Sequence, residues 1–137
     1  MNKKILVVDD DREILTLLTF MLSRRGYIVE TAQDGFSALE KLASSTPDLF
    51  IIDIMMPGMS GFELCTRIRE RCETARIPII ICSADANPEN RQRGLAVGAN
   101  DFIPKPVRNA DFLLRVAGVL EAAGNMEGSD SGFVGQH

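Results

Sequence analysis

The chain has 137 residues, of which 45% are hydrophobic and 25% charged, and 15 Lys and Arg against 19 Asp and Glu give a net charge of −4. This length predicts one domain with its own hydrophobic core, and the apolar fraction excludes a disordered chain. The negative charge excludes the overall positive field on which nonspecific nucleic-acid binding depends.

Five short apolar runs recur along the chain, and we interpret each as a β-strand. Several are apolar throughout rather than alternating, which is typical of strands buried on both faces of a parallel sheet. The predicted strands are Ile5–Val8, Ile28–Thr31, Leu49–Ile52, Ile77–Cys82 and Phe102–Ile103.

A helical pattern follows each predicted strand. The first helix starts after Asp11 and stops at Gly26, the third starts near Ser60, and the polar residues 88–97 predict a fourth with a largely solvent-exposed face. The positions expected to face the core are Ile14, Leu17, Leu18 and Met21 in the first helix, Ala38, Leu39 and Leu42 in the second, Cys65, Ile68 and Cys72 in the third, and Leu113, Val116, Ala117 and Leu120 in the fifth.

The alternation of five strands with five helices predicts a single α/β domain. Successive βα units favour an open, doubly wound parallel sheet with helices on both faces, in three αβα layers. We expect the last helix to end near Gly124, which places the domain at residues 1–123. Residues 124–137 include four glycines and two serines, and they predict a flexible tail or linker stub. The lone His137 in it is expected to have no metal-binding role.

The cysteines and the hydropathy pattern indicate a cytoplasmic location. The three cysteines form an odd set without a CxxC pair, which argues against a disulfide framework and against a zinc site. The first apolar run is too short for a signal sequence, and no segment approaches the roughly 20 apolar residues that span a bilayer. We therefore predict a cytoplasmic protein with no membrane contact.

Polar side chains follow four of the five predicted strands at the point where each strand ends. Asp9 and Asp10 follow the first strand, Asp53 the third, Ser83 ends the fourth, and Lys105 comes after the fifth. In a doubly wound sheet the carboxyl ends of the strands form one edge, where functional groups gather. We therefore expect these side chains to converge.

The carboxylates also have a purely structural interpretation. Asp53 could cap a turn, and Asp10 could cap the first helix, with Glu13 completing a capping box. Close approach of several carboxylates is nevertheless costly unless a cation lies between them. A few oxygen ligands select Mg²⁺, and a carboxylate at such a site can attack phosphorus and form an aspartyl phosphate. Lys105 and Ser83 are the side-chain types that phosphoryl transfer then requires.

Four segments together resemble the receiver domain of two-component response regulators. They are VVDDD (7–11), IIDIMMPGMSGFEL (51–64), ICSADA (81–86) and GANDFIPKP (98–106), in the order and at the spacing of that family. The resemblance runs from about residue 3 to residue 123. It implies a flavodoxin-like fold with the strand order 2-1-3-4-5.

The resemblance implies a role for each of the converging residues. Asp53 would accept a phosphoryl group, Lys105 would form an ion pair with it, and the Lys105–Pro106 bond would be cis. The hydroxyl of Ser83 would move to bind the phosphoryl group while Phe102 turns inward. The implied ligands of Mg²⁺ are the side chains of Asp10 and Asp53, Asp9 close by through water, and the backbone carbonyl of Met55.

The resemblance further implies a regulatory switch rather than an enzyme. It predicts Mg²⁺-dependent self-phosphorylation from phosphodonors, slow autodephosphorylation, and a signalling surface on the fourth helix, fifth strand and fifth helix. Phe102, where the family often has tyrosine, and Val107, where it often has an aromatic residue, lie on that surface.

The implied partners are proteins. A sensor histidine kinase or a phosphotransfer protein would supply the phosphoryl group, and a downstream effector or linked output domain would respond, with no direct nucleic-acid binding by this domain. A phosphorylation-dependent homodimer would pair Asp101 with Arg115, and Arg91 with Asp111, across two copies.

Other functions of a strand-end aspartate fit the sequence less well. A haloacid-dehalogenase-like phosphatase needs a second acid where this chain has Met55. Flavin- and dinucleotide-binding proteins need a phosphate-binding loop after the first strand, where this chain has three aspartates and no GxGxxG. The remaining alternative is a receiver-like interaction module that signals without phosphorylation, and the intact set of polar side chains argues against it.

Overall fold

The sheet consists of five parallel strands in the order β2-β1-β3-β4-β5. The computed structural model describes residues 2–135, with side chains described as far as residue 125. It confirms the doubly wound α/β fold and the strand order that the resemblance implied. The elements are β1 Lys4–Val8, α1 Arg12–Ser23, β2 Ile28–Ala32, α2 Gly35–Lys41, β3 Leu49–Ile52, α3 Gly61–Glu70, β4 Ile79–Ser83, α4 Pro88–Ala96, β5 Asp101–Pro104 and α5 Asn109–Gly135.

The sheet separates two hydrophobic cores. Side chains alternate between the two faces of a strand, so Leu6 and Val8 of β1 pack with α2, α3 and the end of α4, whereas Ile5 and Val7 pack with α1 and α5. We call the first the α2–α4 core and the second the α1–α5 core. Because β1, β3 and β4 are covered on both sides, their apolar runs are uninterrupted.

β4 begins two residues later than the sequence predicts. The predicted strand starts at Ile77, but the observed one starts at Ile79. Pro78 has no N–H with which to continue the ladder, although its carbonyl accepts a hydrogen bond from Phe50 N at 3.0 Å.

α1 turns the predicted face to the core at Ile14, Leu18 and Met21, but not at Leu17. Leu17, expected inside, is 45% exposed, and Leu15 and Leu22 are buried along with Leu18. The helix is apolar around much of its circumference, so its period alone does not select the buried face. Packing against the sheet and α5 selects it.

Two other positions predicted to be in the core are exposed. Cys72 lies beyond α3, because the helix ends at Glu70 and the next residue, Arg71, is extended. Ala117 points to solvent on α5, while Phe112 is fully buried on the opposite side of that helix.

α5 is longer than the sequence predicts. Gly124 was expected to end the helix, but the helix continues to Gly135. Unlike Gly26 after α1, which has a φ of 89°, Gly124 does not adopt a positive φ and so does not act as a left-handed cap. No proline interrupts the following residues. The flexible tail at residues 124–137 stays a prediction, and His137 lies outside the described residues.

The structure also places the cysteines and bears on membrane insertion. Cys65 and Cys82 are buried free thiols, and burial raises the pKa of each to about 12. Both therefore stay protonated at neutral pH. Within residues 2–135, no helix combines the length and apolar character needed to cross a bilayer.

Candidate functional site

The ends of β1 and β3 bring two carboxylates side by side. Val8 and Ile52 are paired in the parallel ladder, and the next residue on each strand is an aspartate, Asp9 or Asp53. The backbone of both is fixed, because Asp9 N donates to Ala32 O at 3.1 Å and Asp53 N donates to Val8 O at 3.0 Å. Strand pairing thus positions these acids before any ligand binds.

Asp10 completes a cluster of three carboxylates. Oxygen atoms of Asp9, Asp10 and Asp53 all lie within 4.8 Å of one another. The side chains of Asp9 and Asp53 are only 4% and 8% exposed, whereas Asp10 is exposed. The predicted convergence of these acids therefore exists in the structure.

Asp11, and not Asp10, caps α1. The helix begins at Arg12, one residue later than a cap at Asp10 requires, and Asp11 Oδ1 accepts a hydrogen bond from Glu13 N at 2.9 Å. Asp9 Oδ1 accepts a second one from Asp11 N at 2.9 Å. The capping role considered for Asp10 is therefore wrong. Among the residues whose side chains are described, none forms a hydrogen bond or ion pair with the Asp10 carboxylate.

Lys105 bridges two of the three carboxylates. Its Nζ lies 2.6 Å from Asp9 Oδ2 and 3.5 Å from Asp53 Oδ2. The Lys105–Pro106 bond is cis, as the resemblance implied, and Lys105 N donates to Ser83 O at 3.0 Å. The side chain is 14% exposed, so these contacts are largely shielded from water.

Burial and neighbouring charges both shift the pKa values of Asp9 and Lys105. Burial lowers the pKa of Lys105, but the hydrogen bond to Asp9 and the charge of Asp53 outweigh it and hold the pKa above its usual value. Burial raises the pKa of Asp9 despite the hydrogen bond from Lys105, and the Asp53 charge adds to that rise. The contact with Lys105 thus does not fully offset the cost of burying Asp9 beside Asp53.

The donor set fits Mg²⁺. All side-chain donors are carboxylate oxygens, which are hard ligands, and one exposed carboxylate leaves a side open to water or phosphate. The three carboxylates lie close enough together to hold one ion between them. Met55 N donates to Asp53 Oδ1 at 3.4 Å, so the backbone of Met55 lies beside the carboxylate cluster. Met55 itself is 61% exposed.

Ser83 and Phe102 occupy separate places in the structure. Ser83 ends β4, is fully buried, and its hydroxyl accepts a hydrogen bond from Asp85 N at 3.3 Å. Within the described residues no hydrogen bond joins it to Asp53. Phe102 is 5% exposed and packs in the α2–α4 core, so it is already turned inward.

The charged residues predicted to pair across a dimer make contacts within one chain. Arg115 lies 3.5 Å from Asp101, which is on β5. It also lies 3.5 Å from Asp111, which is one turn earlier on the same helix as Arg115. Arg91 instead places its guanidinium 5.3 Å from the centre of the Phe102 ring. Arg91 Nε also donates to Ala86 O at 3.1 Å.

Sequence reasoning missed two structural contributions to this end of the molecule. One is the cap at Asp11, for which the run of three aspartates offered the only signal. The other is Gly61, where a Cβ would overlap the Asp53 carbonyl and lie 2.7 Å from Ile54 Cα. The glycine after the capping Ser60 was the available signal, because close helix–loop contact commonly needs a residue without a side chain.

The chain matches known proteins over most of its length. The family model described as the response regulator receiver domain matches residues 5–117. The phosphate regulon transcriptional regulatory protein PhoB of Rhizobium meliloti is 42% identical over 123 residues, which are 90% of this chain and 54% of that protein. The alkaline phosphatase synthesis transcriptional regulatory protein PhoP of Bacillus subtilis is 41% identical over 120 residues, 88% of this chain and 49% of that protein. The chain thus spans about half the length of these curated relatives.

Solved structures match the fold as a whole. The chemotaxis protein CheY4 of Vibrio cholerae has a TM-score of 0.83 and 35% identity, and the match covers 87% of this chain and 99% of that one. A CheY-like response regulator receiver domain protein of Methanospirillum hungatei has a TM-score of 0.86 and 31% identity, with 92% and 99% covered. Nothing in these comparisons supports the alternative of a phosphorylation-independent interaction module.

Proposed function

This chain belongs to the response regulator receiver family of two-component signalling, and on that premise we propose that Asp53 accepts a phosphoryl group in a Mg²⁺-dependent reaction. The observation that carries the proposal is the cluster of Asp9, Asp10 and Asp53 with Lys105 bridging two of its members. The donor is a sensor histidine kinase or a phosphotransfer protein, and small phosphodonors serve in its place.

The residues divide the chemistry among them. A bond forms between a carboxylate oxygen of Asp53 and phosphorus as the bond from phosphorus to the donor nitrogen breaks. Mg²⁺ would be held by Asp9, Asp10, Asp53 and the Met55 carbonyl. Its positive charge would offset the negative charge of the phosphoryl oxygens. The ammonium of Lys105 supplies a further positive charge 3.5 Å from Asp53.

The hydroxyl of Ser83 is the donor that responds to phosphorylation. It is bound to Asp85 N at 3.3 Å, a long and therefore weak hydrogen bond that is easily given up. Once released, the hydroxyl moves with the β4–α4 loop towards the phosphoryl oxygens. Slow autodephosphorylation then returns the switch to its starting state.

The output surface lies on α4, β5 and α5. Leu95 on α4 is 59% exposed and Leu114 on α5 is 73% exposed. The same elements carry an ion pair between Asp101 of β5 and Arg115 of α5. Exposed apolar side chains beside polar ones are typical of protein contact sites. We assign this surface to a second copy after phosphorylation, and to an effector or a linked output domain.

The wider setting follows from the same family. We propose a cytoplasmic location, a receiver unit of residues 1–123, and a linker from residue 124 onwards. Direct binding of nucleic acid is not a task of this unit, given its net charge of −4.

Phosphorylation of the intact chain tests the proposal directly. We expect phosphoramidate with Mg²⁺ to add one phosphoryl group, detected by intact-protein mass spectrometry, and the Asp53→Asn variant to gain none. Asp11→Asn is the matched control, because it removes a neighbouring carboxylate while asparagine still caps α1. The proposal fails if the wild-type mass does not change or if Asp53→Asn is modified equally.

A further inference from the structure

Arg91 makes two contacts that no role on a dimer surface requires. Its guanidinium lies 5.3 Å from the centre of the Phe102 ring, and its Nε donates to the carbonyl of Ala86 at 3.1 Å. The first contact is to β5 and the second is to the loop between β4 and α4. One side chain on α4 therefore connects two segments that are 16 residues apart in the chain.

Phe102 packs against the backbone of α4 at Gly94 as well as against the Arg91 side chain. A Cβ added at Gly94 would lie 3.3 Å from the Phe102 ring and 2.8 Å from Ile81 Cδ1, so the helix backbone packs directly on the ring. Arg91 precedes Gly94 by three residues, which places both on the same side of α4. The ring is 5% exposed between them.

The loop before α4 is held by the first turn of the helix. Asn90 Nδ2 donates to Asp85 O at 2.9 Å, and Arg91 Nε donates to Ala86 O at 3.1 Å. Asp85 N is the donor to the Ser83 hydroxyl. The loop that Arg91 holds is thus the one that must move when Ser83 approaches a phosphoryl group.

We propose that Arg91 is a positioning residue that keeps Phe102 turned inward and ties that position to the β4–α4 loop. The cation attracts the face of the ring, while the Nε–H fixes the guanidinium against the loop. The consequence for phosphorylation rests on the proposed function, because it assumes that Ser83 moves when Phe102 is inward.

This role is distinct from a pairing of Arg91 with Asp111 of a second copy. Asp111 lies 3.5 Å from Arg115 within the chain. The contacts of Arg91 exist in a single copy, so the proposed role predicts effects in the unphosphorylated monomer.

The variant Arg91→Met tests the proposal, since it keeps an unbranched apolar side chain and removes the guanidinium. We expect amide hydrogen exchange over residues 84–90 to become about two- to five-fold faster in the unphosphorylated protein, the factor for loss of one exposed cation–π contact. The NMR signals of the Phe102 ring should shift towards those of an exposed phenylalanine. Phosphorylation of Asp53 by phosphoramidate should slow by a similar factor, because Ser83 is assumed to move only when the Phe102 ring is inward.

Arg93→Met is the matched control. Arg93 lies on the same helix, and its guanidinium is 4.3 Å from the centre of another ring, that of Phe62. We expect it to leave exchange over residues 84–90 at the wild-type rate. Arg91→Lys should restore part of the ring position, because it keeps a cation, while the tie to Ala86 O remains lost.

The outcomes separate this proposal from the others. Unchanged exchange in Arg91→Met overturns it, and so does a variant whose only defect is in dimer formation. Equal acceleration in Arg93→Met overturns it as well, because α4 would then respond to any loss of charge. If wild-type protein is not phosphorylated, the proposed function fails, while the exchange and NMR measurements still decide the role of Arg91.

Discussion

Single side chains set the charge balance of the carboxylate cluster. Among the described residues, Lys105 provides the one ammonium in contact with Asp9 and Asp53. It does not contact Asp10, which is exposed to solvent. Burial raises the pKa of Asp9 and outweighs the hydrogen bonds that lower it. A divalent cation would stabilise the charged form of these carboxylates, which is why metal affinity should be sensitive to each acid.

The first prediction concerns Asp10. We expect Asp10→Ala to weaken Mg²⁺ binding at least about tenfold, because it removes the carboxylate that no other described group engages. Isothermal titration calorimetry on the unphosphorylated protein measures this. Asp11→Asn, one residue away, should bind Mg²⁺ as the wild type does, and equal affinity in Asp10→Ala would contradict the assigned ligand.

The second prediction concerns Lys105. Lys105→Met should lower the free energy of unfolding by about 1–3 kcal/mol without Mg²⁺, because the Asp9 and Asp53 carboxylates lose their counter-charge. Added Mg²⁺ should reduce this deficit, since it binds the folded state. Urea unfolding with and without Mg²⁺ measures both effects. The exposed Lys41→Met should change stability by less than about 0.5 kcal/mol, and a Lys105→Met deficit as small as that would refute the bridge.

The identity of the site residues could be predicted from the sequence, but their local register could not. Strand ends and residue types pointed to Asp9, Asp10, Asp53 and Lys105. The three consecutive aspartates gave no means to decide which one caps α1, because that depends on the backbone path after β1. The contact of Arg91 with Phe102 depends on tertiary packing and leaves no local pattern.

At the scale of elements, periodicity predicted most of the buried helix positions and failed at single ones. α1 has apolar residues on most of its faces. Whether Leu17 or Leu15 is buried therefore depends on how the helix packs against the sheet and α5. The prediction that α5 ends near Gly124 was wrong for a different reason. A glycine ends a helix when it adopts a left-handed conformation, and composition does not show whether it does.

The third prediction compares two helical glycines. Gly61→Ala should lower the free energy of unfolding by about 1–3 kcal/mol, because the added methyl group overlaps the backbone of Asp53 and Ile54 at the start of α3. Gly118→Ala should raise it by about 0.5–1 kcal/mol, since no described atom outside its own helix turn lies within 4 Å of the new Cβ and alanine favours a helix. Thermal and urea unfolding measure both variants. Equal changes would show that α3 does not pack closely on the loop that follows β3.

At the scale of the whole molecule, the chain corresponds to about half of each relative, 54% of PhoB and 49% of PhoP. The relatives are described as transcriptional regulatory proteins, and the shared part here is the receiver domain. On this scale the alternation of strands and helices predicted the doubly wound sheet, because the connection rules leave few arrangements for successive βα units. The strand order came from the family resemblance.

The fourth prediction concerns the output surface. We expect beryllofluoride with Mg²⁺ to convert the wild type to a dimer, and Leu114→Lys to raise the dimer dissociation constant about tenfold, because a charge replaces a 73% exposed apolar side chain at the contact. Sedimentation velocity measures the association. Leu17→Lys makes the same change on α1, where the leucine is 45% exposed, and should dimerise normally. Equal behaviour of the two variants would place the dimer contact elsewhere.

β5 lies at the edge of the sheet, between α4 and α5. α4 packs on one side of that edge with Phe102 and the α2–α4 core, and α5 packs on the other with the α1–α5 core. A rearrangement around Ser83 and Phe102 would act first on the α2–α4 core. It would also reach α5, because Arg115 Nη1 donates to Phe102 O at 3.3 Å. A partner that touches α4 and α5 together would therefore meet two helices that are both bound to the same residue of β5.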